Sequence, residues 1–267
     1  MRIGPETRAL VTGASRGIGR ATAQALAARG ARVGLVARGR EGLDELAAEL
    51  PAPAAGEHLA IPADVGKRAA IEKAVARFAK RAGGLELVVA NAGIAHYAPF
   101  PDQEADEIEE LVRINVLGTL WTVRAALNHM LGRGSGHVVV LSSGAGLRAF
   151  PWAAVYGATK AANRAFAEAL RHELSGTGVN LTTAFPGEVE TDLHAHEMDR
   201  LPDWRDSEGA VPAAQVAAAI LAGVEAGERN VYVPQAVRAL GLNGVAPRLT
   251  DALLRRARGP TAAPRRD

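Results

Sequence analysis

The sequence contains no cysteine, which excludes disulfides, thiolate metal sites and cysteine nucleophiles, so any catalysis must come from other side chains. No apolar run approaches the roughly 20 residues that a membrane-spanning helix requires, and no membrane span is expected. The chain enters a strand-like run, Arg8-Ala9-Leu10-Val11, within its first ten residues. That leaves no space for a charged region followed by an apolar leader core, and a cytoplasmic location is expected. Net charge is also small, +2 over 267 residues, and unevenly placed: residues 248–267 hold six Arg against Asp251 and Asp267, a local +4 that leaves about −2 for the rest. A nucleic-acid-binding protein would arrange its basic residues as a stripe on a folded face, so no nucleic-acid partner is expected. The Pro/Ala/Arg tail reads first as a solvated end.

What is present is enough apolar material for one sizeable core. With 48% hydrophobic and 22% charged residues, the chain is expected to form a single domain over 1–240, followed by a basic C-terminal helix or tail over 241–267. Short Val/Leu/Ala runs alternate with longer Ala/Glu/Arg segments of helical period, the pattern of an α/β fold with a parallel sheet wrapped by helices. Strands are expected at Ala9–Thr12, Arg32–Ala37, His58–Pro62, Leu87–Ala90, His137–Leu141, Asn180–Ala184 and Val231–Val233. Helices are expected near 18–28, 42–50, 68–81, 104–131, 155–174 and 213–226, with Gly30, Gly83-Gly84, Gly132 and Gly176 near their ends as stop signals. Runs such as Val138-Val139-Val140-Leu141 lack polar alternation, as strands do when helices cover both faces of a doubly wound, Rossmann-like sheet.

The first motif with chemical content is Thr12-Gly13-Ala14-Ser15-Arg16-Gly17-Ile18-Gly19, directly after the first strand and opening the first helix. Glycines there permit a tight strand-to-helix turn and bring a pyrophosphate against backbone N–H groups at the positive end of the helix. The spacing is Gly-x3-Gly-x-Gly, distinct from the general dinucleotide fingerprint. About 20 residues further on, where NAD enzymes place a carboxylate for the adenosine ribose, the chain reads Ala37-Arg38-Gly39-Arg40. An Arg at that place offers a planar guanidinium to a 2′-phosphate, and Arg16 can reach the same group, so NADP is preferred as cofactor. Glu41 nearby keeps NAD binding open. Asp64-Val65, just past the third strand, can flank an adenine ring, although Asp also caps helices.

The second constellation is Tyr156-x-x-x-Lys160, whose i, i+4 spacing puts both side chains on one helix face. Tyr ordinarily titrates near pH ~10 and works as an acid or base near neutrality only when its phenolate is stabilised, which a neighbouring ammonium does. Of the three tyrosines, only Tyr156 has Lys four residues on; Tyr97 is followed there by Pro101 and Tyr232 by Ala236. Ser142-Ser143 ends the preceding strand, at the carboxyl edge where open α/β sheets bind ligands. A hydroxyl there can stabilise oxyanion character on a carbonyl. Because strand side chains alternate, only one of the two points into the site, and Ser143, 13 residues before Tyr156, is favoured over Ser142.

Along residues 8–234 the chain resembles the short-chain dehydrogenase/reductase family in its compact single-domain branch. The resemblance runs in order through Thr12–Gly19, Asp64, Asn91-Ala92-Gly93, Asn115 within Arg113-Ile114-Asn115-Val116, Ser143, Tyr156-x-x-x-Lys160, and Pro186-Gly187 with Thr191. It implies cofactor contacts from Gly13, Ser15, Arg16, Gly17, Ile18, Gly19, Arg38, Asp64 and Val65, with Asn91, Ala92 and Gly93 supporting the sheet on the cofactor side. It further implies that Asn115 interrupts the bonding of its helix to hold a water in a proton relay, that Lys160 binds the nicotinamide ribose and activates Tyr156, and that Pro186, Gly187, Val189 and Thr191 meet the carboxamide. The implied reaction is NADP-dependent interconversion of a ketone or aldehyde and an alcohol, with Asn115, Ser143, Tyr156 and Lys160 as catalytic set; the alternatives are an NADP-binding regulatory sensor of the same fold, which would have lost a catalytic residue, and an NAD-preferring alcohol dehydrogenase. The implied assembly is a homodimer or homotetramer packed through the 104–131 and 155–174 helices.

Substrate walls are expected from Ile94–Phe100, Gly144–Trp152 and Glu188–Pro212. Phe150 and Trp152 suggest an apolar small-molecule carbonyl or alcohol, or else core packing. His96, His194 and His196 could be read as a metal cluster, but His-x-His in a polar loop is more often solvated, and no metal is expected. Leu249, Ala252 and Leu253 beside Arg255, Arg256 and Arg258 suit a helix covering the substrate mouth or a subunit edge better than a membrane-surface helix.

Overall fold

The structure is a computed structural model that describes residues 1–191 and 209–258. Seven strands form one sheet: β1 (Arg8–Thr12), β2 (Arg32–Ala37), β3 (Leu59–Pro62), β4 (Leu87–Ala90), β5 (Gly136–Leu141), β6 (Val179–Pro186) and β9 (Asn230–Val233). Their order is β3-β2-β1-β4-β5-β6-β9, with every neighbouring pair parallel. Between them run helices α1 (Gly17–Ala27), α2 (Glu41–Glu49), α3 (Arg68–Ala82), α4 (Ala105–Leu111), α5 (Gly118–Met130), α6 (Ala154–Glu173) and α7 (Ala213–Ala226).

The unbroken hydrophobic strands follow from the two-sided burial. Leu10, Val88, Val138 and Val140 face a core with Ile71 and Phe78 of α3, Met130 of α5 and Leu170 of α6. The alternate residues Val11, Val89 and Val139 face a second core with Leu26 of α1, Leu43 and Leu46 of α2, and Ile220 of α7. Most strand residues are therefore removed from water whichever way they point, and no polar alternation is needed. Strand order reverses between β1 and β4, which opens a crevice at their carboxyl ends, where ligands bind in such sheets.

The long helix expected over 104–131 is interrupted. Val112–Leu117 forms a π-helical segment between α4 and α5, in which the Gly118 N–H reaches back to the Arg113 carbonyl. Asn115 sits fully buried in this widened turn, and its carbonyl accepts from Thr119 Oγ1 at 2.8 Å and from Asn163 Nδ2 at 3.1 Å. Side chains from two helices thus bond to the Asn115 carbonyl within a segment whose backbone bonding is shifted by one residue. A second correction concerns the end of α5: the left-handed glycine is Gly134, at φ 62°, in place of Gly132. Hydropathy also gave no sign of the short strands β7 (Val189–Glu190) and β8 (Val211–Pro212), which pair with one another. Past β9, the chain continues as a 3-10 stretch, Gln235–Gly244, and helix α8 (Pro247–Arg258). Part of the expected tail is thus helical, and Asp251 on α8 pairs with Arg148 in the loop after β5.

Candidate active site

The carboxyl edge of the sheet holds a cleft of about 650 Å3. Its floor is made by the glycine loop. Gly13 and Gly17 have φ of 69° and 55°, values that side chains with a Cβ rarely adopt. A Cβ on Gly13 would come within 2.8 Å of Asn91 Nδ2 and 2.9 Å of Ala92 Cα, and one on Gly19 would overlap the Gly13 carbonyl oxygen. The floor can only be backbone, and it lies at the N-terminus of α1, whose first turn carries no acidic residue to neutralise its positive end. This arrangement fits a pyrophosphate.

Asn91 and Ala92 explain why the loop keeps its shape. Asn91 Nδ2 donates to the Thr12 carbonyl at 2.8 Å, while the Asn91 and Ala92 N–H groups both donate to Thr12 Oγ1 at 3.1 Å. The end of β4 is thereby tied to the start of the loop. On the other side, Thr191 approaches Gly17 so closely that a Cβ there would lie 3.1 Å from its methyl. Pro186, Gly187, Val189 and Thr191 all line the cleft, as do Ser15, Arg16 and Ile18.

Of the arginines near the expected 2′-phosphate position, Arg16 and Arg38 line the cleft and Arg40 does not. Arg40 precedes α2 and pairs with Asp44 at 3.8 Å. Arg38 is 63% exposed at its side chain and lies 3.7 Å from Glu110. Asp64 and Val65 are also on the wall. The Asp64 carboxylate accepts from the Gly66 N–H at 2.9 Å and pairs with Arg113 at 3.3 Å, so it shapes a turn and does not cap α3, whose N-cap is Lys67.

The two serines, which both line the cleft, differ in their partners. Ser142 Oγ is buried and donates to the Lys160 carbonyl at 2.8 Å, so its proton is committed. Ser143 Oγ accepts from the Ala145 N–H at 3.1 Å, and its own proton has only a long, 3.5 Å contact with the Pro186 carbonyl. Ser143 therefore has a donor available to the cleft. Tyr156 and Lys160, from the start of α6, are 8% and 6% exposed and line the same cleft. Lys160 Nζ lies 5.7 Å from the centre of the Tyr156 ring. Burial strips water from the ammonium and pushes its pKa down to about 8.

Asn115 binds two walls together. Its carboxamide accepts from the Ile94 N–H at 2.9 Å and donates to the Ile94 carbonyl at 3.0 Å and to Thr159 Oγ1 at 3.1 Å. Thr159 in turn donates to the Tyr156 carbonyl at 2.7 Å. A Cβ on Gly93 would stand 3.2 Å from Asn115 Oδ1 and 3.3 Å from Lys160 Nζ, so this glycine lets the two side chains converge.

The substrate side holds residues that the sequence did not disclose. Pro234, Ala236, Val237 and Leu240 line the cleft from beyond the last strand, together with Phe150 and Tyr97. A Cβ on Gly144 would sit 3.1 Å from Leu240 Cδ1, so the bare glycine after Ser143 admits the C-terminal segment. The i, i+3 pair Val237/Leu240 was the available signal. Trp152 lies outside the lining and adopts φ 67°, with its carbonyl accepting from the Ala98 N–H at 3.1 Å. His96 stands 3.6 Å from Glu110, also away from the cleft surface. Residues 192–208 of the expected Glu188–Pro212 wall, His194, His196 and Trp204 among them, lie outside the described residues. Among the described residues, no group of three or more His, Asp or Glu is arranged to hold a metal, and no helix is long and apolar enough to cross a membrane.

A backbone cradle at the switch point of a parallel sheet, with a titratable pair in the same cleft, marks a protein built to hold a dinucleotide beside a reacting group. Residues 7–201 match the short chain dehydrogenase family. An uncharacterised oxidoreductase of Listeria innocua is 40% identical over 186 residues, 69% of this chain and 75% of the relative. Among solved structures, a short-chain dehydrogenase from Sphingobium yanoikuyae in complex with NADPH superposes with a TM-score of 0.77 at 28% identity, covering 98% of this chain and 100% of the other. A short chain dehydrogenase/reductase from Burkholderia phymatum in complex with NAD has the same fold, with a TM-score of 0.84 at 24% identity, covering 98% and 99%. The chain belongs to the short-chain dehydrogenase family and is an NAD(P)-dependent dehydrogenase/reductase.

Proposed function

We propose that this enzyme reduces an apolar ketone or aldehyde to the alcohol, and works in reverse on the alcohol, with NADP as its preferred cofactor. The observation that carries this reading is the meeting of Ser143, Tyr156 and Lys160 in one cleft with the glycine loop and Arg38. NADPH, when bound, supplies the hydride; the protein holds the reacting atoms and places the charges. Ser143 and Tyr156 donate to the carbonyl oxygen, and the Tyr156 phenol gives up its proton as alkoxide character develops. The Lys160 ammonium stabilises the resulting phenolate and returns a proton from water. Asn115, with both ends of its amide engaged by Ile94 and Thr159, keeps that relay in register with the loop after β4. The glycine loop and Pro186–Thr191 bracket the cofactor, and Arg38 with Arg16 meets the 2′-phosphate. Ile94, Tyr97, Phe150, Val237 and Leu240 give the substrate side its apolar character. In this reading residues 1–240 form the catalytic unit, and 241–267 are an appended C-terminal element.

The test is a titration of the purified protein with NADPH and with NADH, followed by cofactor fluorescence, for wild type and Arg38→Ala. Loss of a charge-assisted contact worth about 1.5–2 kcal/mol is expected to weaken NADPH about tenfold to thirtyfold and leave NADH within about twofold. Equal or tighter binding of NADH to wild type would refute the cofactor preference while leaving the Tyr156 chemistry standing. A carbonyl panel assayed by NADPH consumption then identifies the substrate class.

We further propose a homodimer or homotetramer packed through α4–α5 and α6. Light scattering is expected to give a multiple of 27.8 kDa; a monomer at micromolar concentration would remove the assembly from the proposal.

A further inference from the structure

Glu110, near the end of α4, does not line the cleft but gathers three groups from three parts of the fold. Its Oε1 lies 3.7 Å from Arg38 and 3.3 Å from Arg113, and its Oε2 lies 3.6 Å from His96. Arg38 comes from the turn just after β2, Arg113 from the π-helical segment, and His96 from the loop after β4. These partners are not equivalent. Arg113 uses its other nitrogen on Asp64, at 3.3 Å, and so already has a second carboxylate. Among the described residues Glu110 is the carboxylate within ion-pair distance of Arg38.

We propose that Glu110 is a cofactor-specificity residue: it is the counter-ion of Arg38, which Arg38 exchanges for the 2′-phosphate when NADP binds. The inference rests on the assignment of Arg38 to that phosphate. Two consequences follow from charge alone. Arg38 must give up or share an existing partner to meet the phosphate, and a fixed carboxylate stays near the incoming dianion. Both effects weaken NADP and spare NAD, which lacks the phosphate. Glu110 thus sets how tightly the enzyme holds NADP, and Arg38 alone would hold it more strongly. The pair is partly exposed, so the effect is a few-fold in affinity and is screened by salt.

The neutral, nearly isosteric Glu110→Gln keeps hydrogen-bonding capacity toward Arg113 and His96 while removing the charge. The measurement is the dissociation constant of NADPH and of NADH for wild type, Glu110→Gln, Arg38→Ala and the double variant, at low and at roughly physiological ionic strength. Circular dichroism and melting temperature would confirm that each variant is folded. Glu110→Gln is expected to bind NADPH about threefold to fivefold more tightly than wild type at low salt, with NADH within twofold. The gain is expected to shrink as salt rises and to be clearly smaller in the Arg38→Ala background, where only the repulsion between Glu110 and the phosphate remains. If wild type prefers NADPH but Glu110→Gln binds it no more tightly, or tightens both cofactors alike, the exchange is overturned and the Arg38 assignment survives. A gain of the same size without Arg38 would also overturn it. If Arg38→Ala does not weaken NADPH, the underlying cofactor reading has failed, and this inference fails with it.

Discussion

Replacing Tyr156 by Phe is expected to lower kcat/KM for carbonyl reduction by about three orders of magnitude, within the 10²–10⁴ range that general acid catalysis contributes. NADPH affinity and melting temperature should change little. The substitution removes one oxygen and retains the ring, which packs 6.2 Å from the Tyr97 ring and beneath Lys160 in a site where Tyr156 is 8% exposed. The fold loses no apolar contact. The reaction loses its only proposed proton donor to the nascent alkoxide. Tyr97 is the internal control, because it is the other phenol lining the cleft and has no Lys four residues on; Tyr97→Phe is expected to cost less than about tenfold. Steady-state kinetics with a substrate from the carbonyl panel decides the matter. Retention of more than a tenth of the wild-type activity in Tyr156→Phe would remove Tyr156 from the acid role.

Lys160→Met should separate activity from stability in opposite directions. Lys160 is buried, and burial lowers its pKa from the ordinary 10.5 to about 8. Below about pH 8 the side chain is charged in both the folded and unfolded chain, and the desolvation cost of the ammonium is fully present. Between about 8 and 10.5 the folded protein has released the proton while the unfolded chain still holds it, so stability rises with pH across that window. A shift of this size corresponds to a cost on the order of 3 kcal/mol. Met keeps the length of the stem and removes the charge. The variant is expected to gain about 1–3 kcal/mol at pH 7, or several degrees in melting temperature. The advantage over wild type should narrow as pH rises from 8 toward 10.5. Turnover should fall by about two to three orders of magnitude, since neither the phenolate nor its proton supply is supported. Thermal melts across pH 7–10 with parallel assays test both arms. A Met variant less stable than wild type at pH 7 would show that the fold compensates the buried charge, and that the site stores no strain on this side chain.

Much of this was legible in the chain itself. The strands were found within two residues of their ends because parallel strands buried on both faces are written as continuous Val/Leu/Ala runs, and such runs owe nothing to distant partners. The glycine loop and Tyr156-x-x-x-Lys160 were equally plain, because each is a local spacing with a local geometric meaning. The interruption at Val112–Leu117 was not visible in hydropathy, since Val, Ile and Leu there continue the helical period; it was expected at Asn115 only from the family resemblance, and in the structure Thr119 and Asn163 both bond to the Asn115 carbonyl. The β7–β8 pair joins Val189 to Val211, and two-residue strands carry no periodicity to read.

At the site, the sequence by itself determined which residue types were present and which of them shared a helix face or a turn: the glycine cradle, the Tyr–Lys pair, and an Arg in place of the ribose carboxylate. Only the tertiary structure decided among neighbours. It separated Ser143 from Ser142 by committing one hydroxyl to the Lys160 carbonyl, and Arg38 from Arg40 by the cleft that only the former lines. It also brought Val237 and Leu240 over Gly144, and Glu110 to Arg38, across separations that no local pattern spans. The physical reason is the same in each case. Spacing along a helix or strand fixes direction within one element, whereas burial, a committed proton or a paired charge depends on what another element places opposite.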